Sequence, residues 1–158
     1  MDISWIEQDV LAASPLPANE AEILSLFAQG VRAILTLTER PITDRSGITP
    51  QLLTKLGITS LHLPIDDFRA PTTQQVTHAL GFIEQMQAEN KPILVHCKVG
   101  QGRTGTLLHA YYLNKGWSLV DTQYRVSEKR PLCNFNDLSR EQQTFLRQYS
   151  DSGRTVHI

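Results

Sequence analysis

The sequence predicts an α/β protein, a three-layer α/β/α stack whose central, mainly parallel sheet is flanked by helices. Three observations predict it. Short apolar runs at 31–37, 58–63 and 92–96 alternate with amphipathic segments of helical period. The amphipathic segments open on helix-start signals, a polar cap with an acid or amide three residues on. Parallel strands need helical crossovers, which cover both faces of such a sheet. With 158 residues, 41% hydrophobic and 20% charged, the chain suits one domain with a substantial core, spanning 1–158.

The elements follow in order. A short strand pair is expected near Trp5 and Val10. The segment Ala12-Ala13-Ser14-Pro15-Leu16-Pro17 reads as a loop that lines a cleft. Asn19 with Glu22 opens a helix carrying Ile23, Leu26 and Phe27, and Gly30 closes it. Val31–Leu37 is a strand, 50–56 a short helix and Ile58–Leu63 a strand. Thr72 with Gln75 opens a helix with Val76, Leu80 and Ile83 on one face. Pro92–His96 is a strand, and a helix with Leu107, Leu108 and Tyr111 follows it. Ser118 with Asp121 opens another helix, which must stop before Pro131. Ser139 with Gln142 opens the last, with Phe145, Leu146 and Tyr149 inward.

Composition excludes several classes. A net charge of -1 gives no global field for nucleic acid or an anionic membrane. No apolar run approaches the ~18 residues a membrane span needs. Met1-Asp2-Ile3-Ser4-Trp5 lacks the basic and apolar regions of a signal peptide. Two cysteines make no disulfide framework, and a free thiolate belongs in a reducing compartment, so a cytoplasmic monomer is expected.

The chemistry concentrates in His96-Cys97-Lys98-Val99-Gly100-Gln101-Gly102-Arg103-Thr104-Gly105. A strand leads in and a helix leads out. Such a loop turns several backbone N–H groups toward one spot, and the helix N-terminus adds positive potential. An anion, a phosphate above all, belongs there. Cys97 lies at the base of that spot, placed to attack. Helix N-termini and cations lower a thiol's pKa from its free value of ~8.5. Arg103, six positions on, can grip phosphoryl oxygens with its planar fork. A cation in a helix's first turn conflicts with the dipole unless an anion sits there. Gly100, Gly102 and Gly105 permit close approach that side chains would block. Ligands of a parallel sheet bind at the carboxyl ends of its strands, which brings Asp67, after another strand, to the same edge.

These residues resemble the cysteine-dependent protein tyrosine phosphatase superfamily. Its signature is His-Cys, five residues, Arg and Ser/Thr, matched at His96, Cys97, Arg103 and Thr104. The small size resembles the atypical dual-specificity branch. A second match is Leu63-Pro64-Ile65-Asp66-Asp67-Phe68-Arg69-Ala70-Pro71, similar to the family's general-acid loop, and Gly30 to Glu39 reads like a family strand. The resemblance implies a metal-independent phosphomonoesterase without cofactor, acting on phosphotyrosine and also phosphoserine or phosphothreonine in proteins through a phosphocysteine intermediate.

It further implies roles. Cys97 is the nucleophile and Arg103 the phosphate clamp. Asp67 is the acid, with Asp66 the competitor. Thr104 hydrogen-bonds the departing sulfur. The loop 98–103 (Lys98, Val99, Gly100, Gln101, Gly102, Arg103) holds the phosphate, and His96 supports it through a buried hydrogen bond. Lys98 matches phosphatases of highly anionic substrates, phosphoinositides included, although Gln101 stands where those often carry a second lysine. Cys133 is structural, with a redox partner as the alternative. A phosphoinositide or small-molecule phosphatase and a phosphate-binding pseudophosphatase are the competing functions.

Overall fold

Alternation of side chains builds the sheet. In the computed structural model, which describes residues 1–156, the order is β1 (Ser4–Glu7), β2 (Leu11–Ser14), α1 (Glu20–Ala28), β3 (Ala33–Thr36), α2 (Pro50–Lys55), β4 (Thr59–His62), α3 (Thr73–Ala88), β5 (Ile93–His96), α4 (Gly102–Asn114), α5 (Leu119–Lys129) and α6 (Arg140–Val156). The last two positions of the expected 1–158 unit lie outside the described residues. The sheet runs β1-β2-β5-β3-β4, parallel except for the antiparallel β1–β2 pair.

Leu11, Ala13, Ala33, Leu35, Ile93 and Val95 point to one face. There they join Ala79, Ile83 and Met86 of α3 and Leu107, Leu108 and Tyr111 of α4. Ala12, Ile34 and Leu94, in register with one another, point to the other face, against Ile23 and Leu26 of α1 and Leu53 of α2. The period-2 pattern thus produces the three layers. Burying these side chains stabilises the fold by ~1.5–3 kcal/mol for each large one.

The expected caps are formed. Asn19, Thr72, Ser118 and Ser139 accept from the backbone N–H three residues on, and Thr72/Gln75 and Ser139/Gln142 close reciprocally. Gly30 takes φ +104 where α1 ends. One expectation fails. Ala12–Ser14 is not loop but the wholly buried strand β2, inserted between β1 and β5. Two alanines carry little strand propensity, and the neighbours on both sides impose it. Only the end of the expected cleft-lining loop survives, as Leu16. Among the described residues, no helix is long and apolar enough to cross a membrane.

Candidate active site

The parallel strands end on one edge, and the candidate residues gather there. The loop 97–101 leaves β5 and enters α4. Its backbone is turned by bonds to its outer side. Leu16 N donates to the Lys98 carbonyl at 3.0 Å. Arg130 Nε donates to the Gly100 carbonyl at 2.8 Å and its Nη2 to the Val99 carbonyl at 3.5 Å. The Cys133 thiol donates to Gly100 O at 3.3 Å. No peptide bond is cis. In a planar trans peptide N–H opposes C=O, so the amides of Val99, Gly100 and Gln101 face the inner side. Gly100 has φ +75, and a Cβ there would lie 2.5 Å from Ser14 O. The loop can therefore approach Ser14 only as glycine, and in the first turns of α4 a Cβ at Gly105 would lie 2.9 Å from Leu138 Cδ2.

The N-terminus of α4 differs from those of the other α-helices. Each of the others has a side-chain cap, whereas Gln101 makes no capping bond. The first amides of α4 therefore lack a side-chain acceptor, the arrangement that receives an anion. Cys97 is 2% exposed, and the Thr104 hydroxyl donates to its Sγ at 3.1 Å.

Arg103 is 2% exposed, so its charge needs partners. Nη1 donates to Glu39 Oε1 at 2.6 Å and to Ile65 O at 2.9 Å, and Nη2 lies 3.4 Å from Asp67 Oδ1. Nε has no partner, a donor suited to a phosphoryl oxygen. Glu39, half-exposed, is held below the usual carboxyl range by its own backbone first and by Arg103 next. Around Arg103 lies a pocket of about 470 Å³, lined by Leu16, Pro41, Arg40, Arg45, Lys98 and Asp67 among others. Asp66, one residue away, lines a separate depression with Pro64, Arg69 and Glu141. The two neighbouring acids therefore face different spaces.

His96 is wholly buried. Nδ1 lies 3.0 Å from Cys97 O, which can only accept, so Nδ1 carries the proton and Nε2 accepts from Thr36 Oγ1 at 2.8 Å. Burial pushes its pKa down to about 4, so it stays neutral. Cys133 is buried, and burial pushes its thiol up to about 12. Both cysteines are free. Among the described residues, no group of three or more His, Cys, Asp or Glu is placed to hold a metal ion.

The structure brings Cys97, Arg103, Thr104, Lys98 and Asp67 to one edge, with His96 beneath. Sequence reasoning missed Glu39 and Arg130. Glu39 follows β3 at the same sheet edge, so the strand-end rule that located Cys97 and Asp67 points to it too. Nothing local marks Arg130.

The chain matches, over residues 15–117, the family model described as "Polymorphic toxin system, DSP-PTPase phosphatase". It is 36% identical over 84 residues to dual specificity protein phosphatase 16 of Homo sapiens, covering 51% of this chain and 13% of that protein's length. Among solved structures, Tk-PTP superposes with a TM-score of 0.80 at 30% identity, covering 96% of this chain and 95% of that one. PTPMT1 superposes with a TM-score of 0.82 at 21% identity over 99% and 98%, a likeness of fold. With more than half its length inside the family model and the fold shared end to end, the chain belongs to the DSP-PTPase family, as a small atypical dual-specificity phosphatase of the cysteine-dependent protein tyrosine phosphatase superfamily.

Proposed function

We propose that the chain is a metal-independent phosphatase, a single catalytic domain that hydrolyses phosphotyrosine, and also phosphoserine and phosphothreonine, in proteins through a phosphocysteine intermediate. The observation that carries this reading is the Thr104 hydroxyl donating to Cys97 Sγ at 3.1 Å inside an anion-receiving loop. The substrate phosphate is held by the inward amides of the 98–103 loop, by Arg103 Nε and by the N-terminal potential of α4. The Cys97 thiolate attacks phosphorus. The ester P–O bond breaks as Asp67 transfers its proton to the leaving oxygen. Water then attacks the phosphocysteine, Asp67 takes the water's proton, and the P–S bond breaks. Thr104 stabilises the departing thiolate. The free thiol suits the cytoplasm.

A second reading is a phosphoinositide phosphatase, favoured by Lys98 beside Arg40 and Arg45 at the pocket. PTPMT1 has been crystallised with PI(5)P. Turnover of phosphopeptides and phosphoinositides, measured side by side, separates the two.

The test of the chemistry is Cys97→Ser. Turnover of p-nitrophenyl phosphate with chelator present is expected to vanish, while inorganic phosphate still binds to the loop amides and Arg103. Appreciable turnover by the serine variant refutes the covalent route.

A further inference from the structure

The turn at 66–70 is exposed at Asp66, Asp67, Phe68 and Arg69, yet it holds a disfavoured backbone. Phe68 takes φ +65, with its side chain 72% exposed. A bulky residue adopts that conformation only where its surroundings impose it. From the phosphate side the turn is held at length, by Asp67 N to Glu39 Oε2 and by Asp67 Oδ1 to Arg103 Nη2, both at 3.4 Å.

Within the turn, Phe68 N donates to Asp67 Oδ1 and Arg69 N to Asp66 O, each at 3.0 Å. The bonds that tie it to the rest of the fold at 2.6 to 3.2 Å come from the first turn of α6 and its cap, 71 to 73 positions along the chain. Ser139 Oγ donates to Phe68 O at 2.7 Å. Glu141 accepts from Ala70 N at 2.6 Å and from Arg69 Nη1 at 2.9 Å. Gln142 Nε2 donates to Arg69 O at 3.2 Å. Gln142 is buried and also backs the phosphate loop, since a Cβ on Gly102 would lie 3.1 Å from its Oε1. One turn of helix thus touches both halves of the site, and it lies outside the stretch matched to the family model.

We propose that the first turn of α6 is a latch that holds Asp67 over the phosphate site, with Glu141 as its positioning residue. The inference rests on the reading of Asp67 as the acid. Glu141 never meets the substrate. It fixes Ala70 and Arg69, which fix the strained Phe68, which orients its neighbour Asp67.

The test uses the full chain with Glu141→Ala, Asp67→Asn and the double variant. Each is assayed on a phosphotyrosine peptide and on p-nitrophenyl phosphate across pH, with phosphate inhibition as the measure of the binding loop. Glu141→Ala is expected to lower kcat on the peptide about tenfold and to change nitrophenyl phosphate turnover and phosphate inhibition by less than about threefold. In the Asp67→Asn background it is expected to have no further effect, because both changes remove the same function. Full peptide turnover in Glu141→Ala, equal losses on both substrates, or additive losses in the double variant overturn the latch. Hydrogen exchange keeps the two readings apart. If Asp67→Asn leaves the pH profile intact, the acid assignment fails. The latch then fails with it unless Glu141→Ala speeds exchange at 67–70 while sparing 98–104.

Discussion

The two halves of the site are built in opposite ways. The phosphate loop is backed by buried groups. His96 and Arg130 sit behind it, Cys133 donates to it, Gly100 lets it press against Ser14, and Gly105 lets the helix after it press against Leu138. The acid turn is exposed, carries a strained phenylalanine and is held by a surface network. Its pair with α6, Arg69–Glu141, has side chains 67% and 47% exposed, the class worth ~0–1 kcal/mol. The difference fits two tasks. A loop that binds charge in the ground state gains from rigidity. A group that gives and takes a proton needs to be held in position but stays open to solvent.

After loss of the nucleophile itself, the largest expected effect falls on the exposed half. Asp67→Asn should cut turnover of phosphotyrosine by ~10²–10⁴ and flatten the falling limb of the rate against pH, the usual worth of a positioned acid. The loss on p-nitrophenyl phosphate should be smaller, because its leaving group needs little protonation. Asp66→Asn should do much less, since Asp66 lines a different depression. If Asp66→Asn, and not Asp67→Asn, removes the falling limb, the acid is misplaced by one residue.

Next comes the rigid half. Arg130→Met removes the donor to Gly100 O while keeping the apolar stem, and should cost ~1–3 kcal/mol of stability for a lost charged hydrogen bond. Because the loop's amides lose their orientation, phosphate binding should weaken together with turnover of both substrates. An Arg130→Met variant that loses turnover of the acid-dependent phosphotyrosine substrate alone would erase the distinction between the halves.

Legibility in the sequence follows the same division. The phosphate loop is one contiguous run between a strand and a helix, and its chemistry can be read at a glance. The helix caps were legible for the same reason, each spanning only three positions. Glu39, Arg130 and Glu141 act across 64, 30 and 71 positions; Glu39 is marked only by its place after a strand end, and nothing near Arg130 or Glu141 in sequence names their partners. The strand pair near Trp5 and Val10 was legible, but the run of β2 through Ala12–Ser14 was not, because its burial comes from β1 and β5 rather than from Ala12 and Ala13. Asp67 could be ranked over Asp66 by likeness to the family loop, but the two spaces they face appear only in the fold.

A further effect, remote from the reaction, is on stability against pH. Burial holds His96 and His109 near a pKa of about 4, below the ordinary 6.5. Between those values the unfolded chain binds protons that the folded one refuses. Stability should therefore be fully present above pH ~6.5, fall as pH drops toward ~4 and level off below, by up to roughly 3 kcal/mol per histidine. Urea unfolding at pH 7 and 4.5 measures this. His109→Asn, remote from the acid turn, should shallow the fall, and an unchanged slope would show that its burial is not the cause.

The central claim is that phosphorus is carried on Cys97. Rapid quenching of the enzyme with a phosphotyrosine peptide, followed by mass spectrometry of its peptides, tests it most directly. The phosphoryl group should appear on the peptide containing Cys97, accumulate further in Asp67→Asn with a good leaving group, whose second step is then slowed, and be absent from Cys97→Ser. Full turnover with no phosphoryl adduct in either form, or an adduct on another residue that persists in Cys97→Ser, would contradict it.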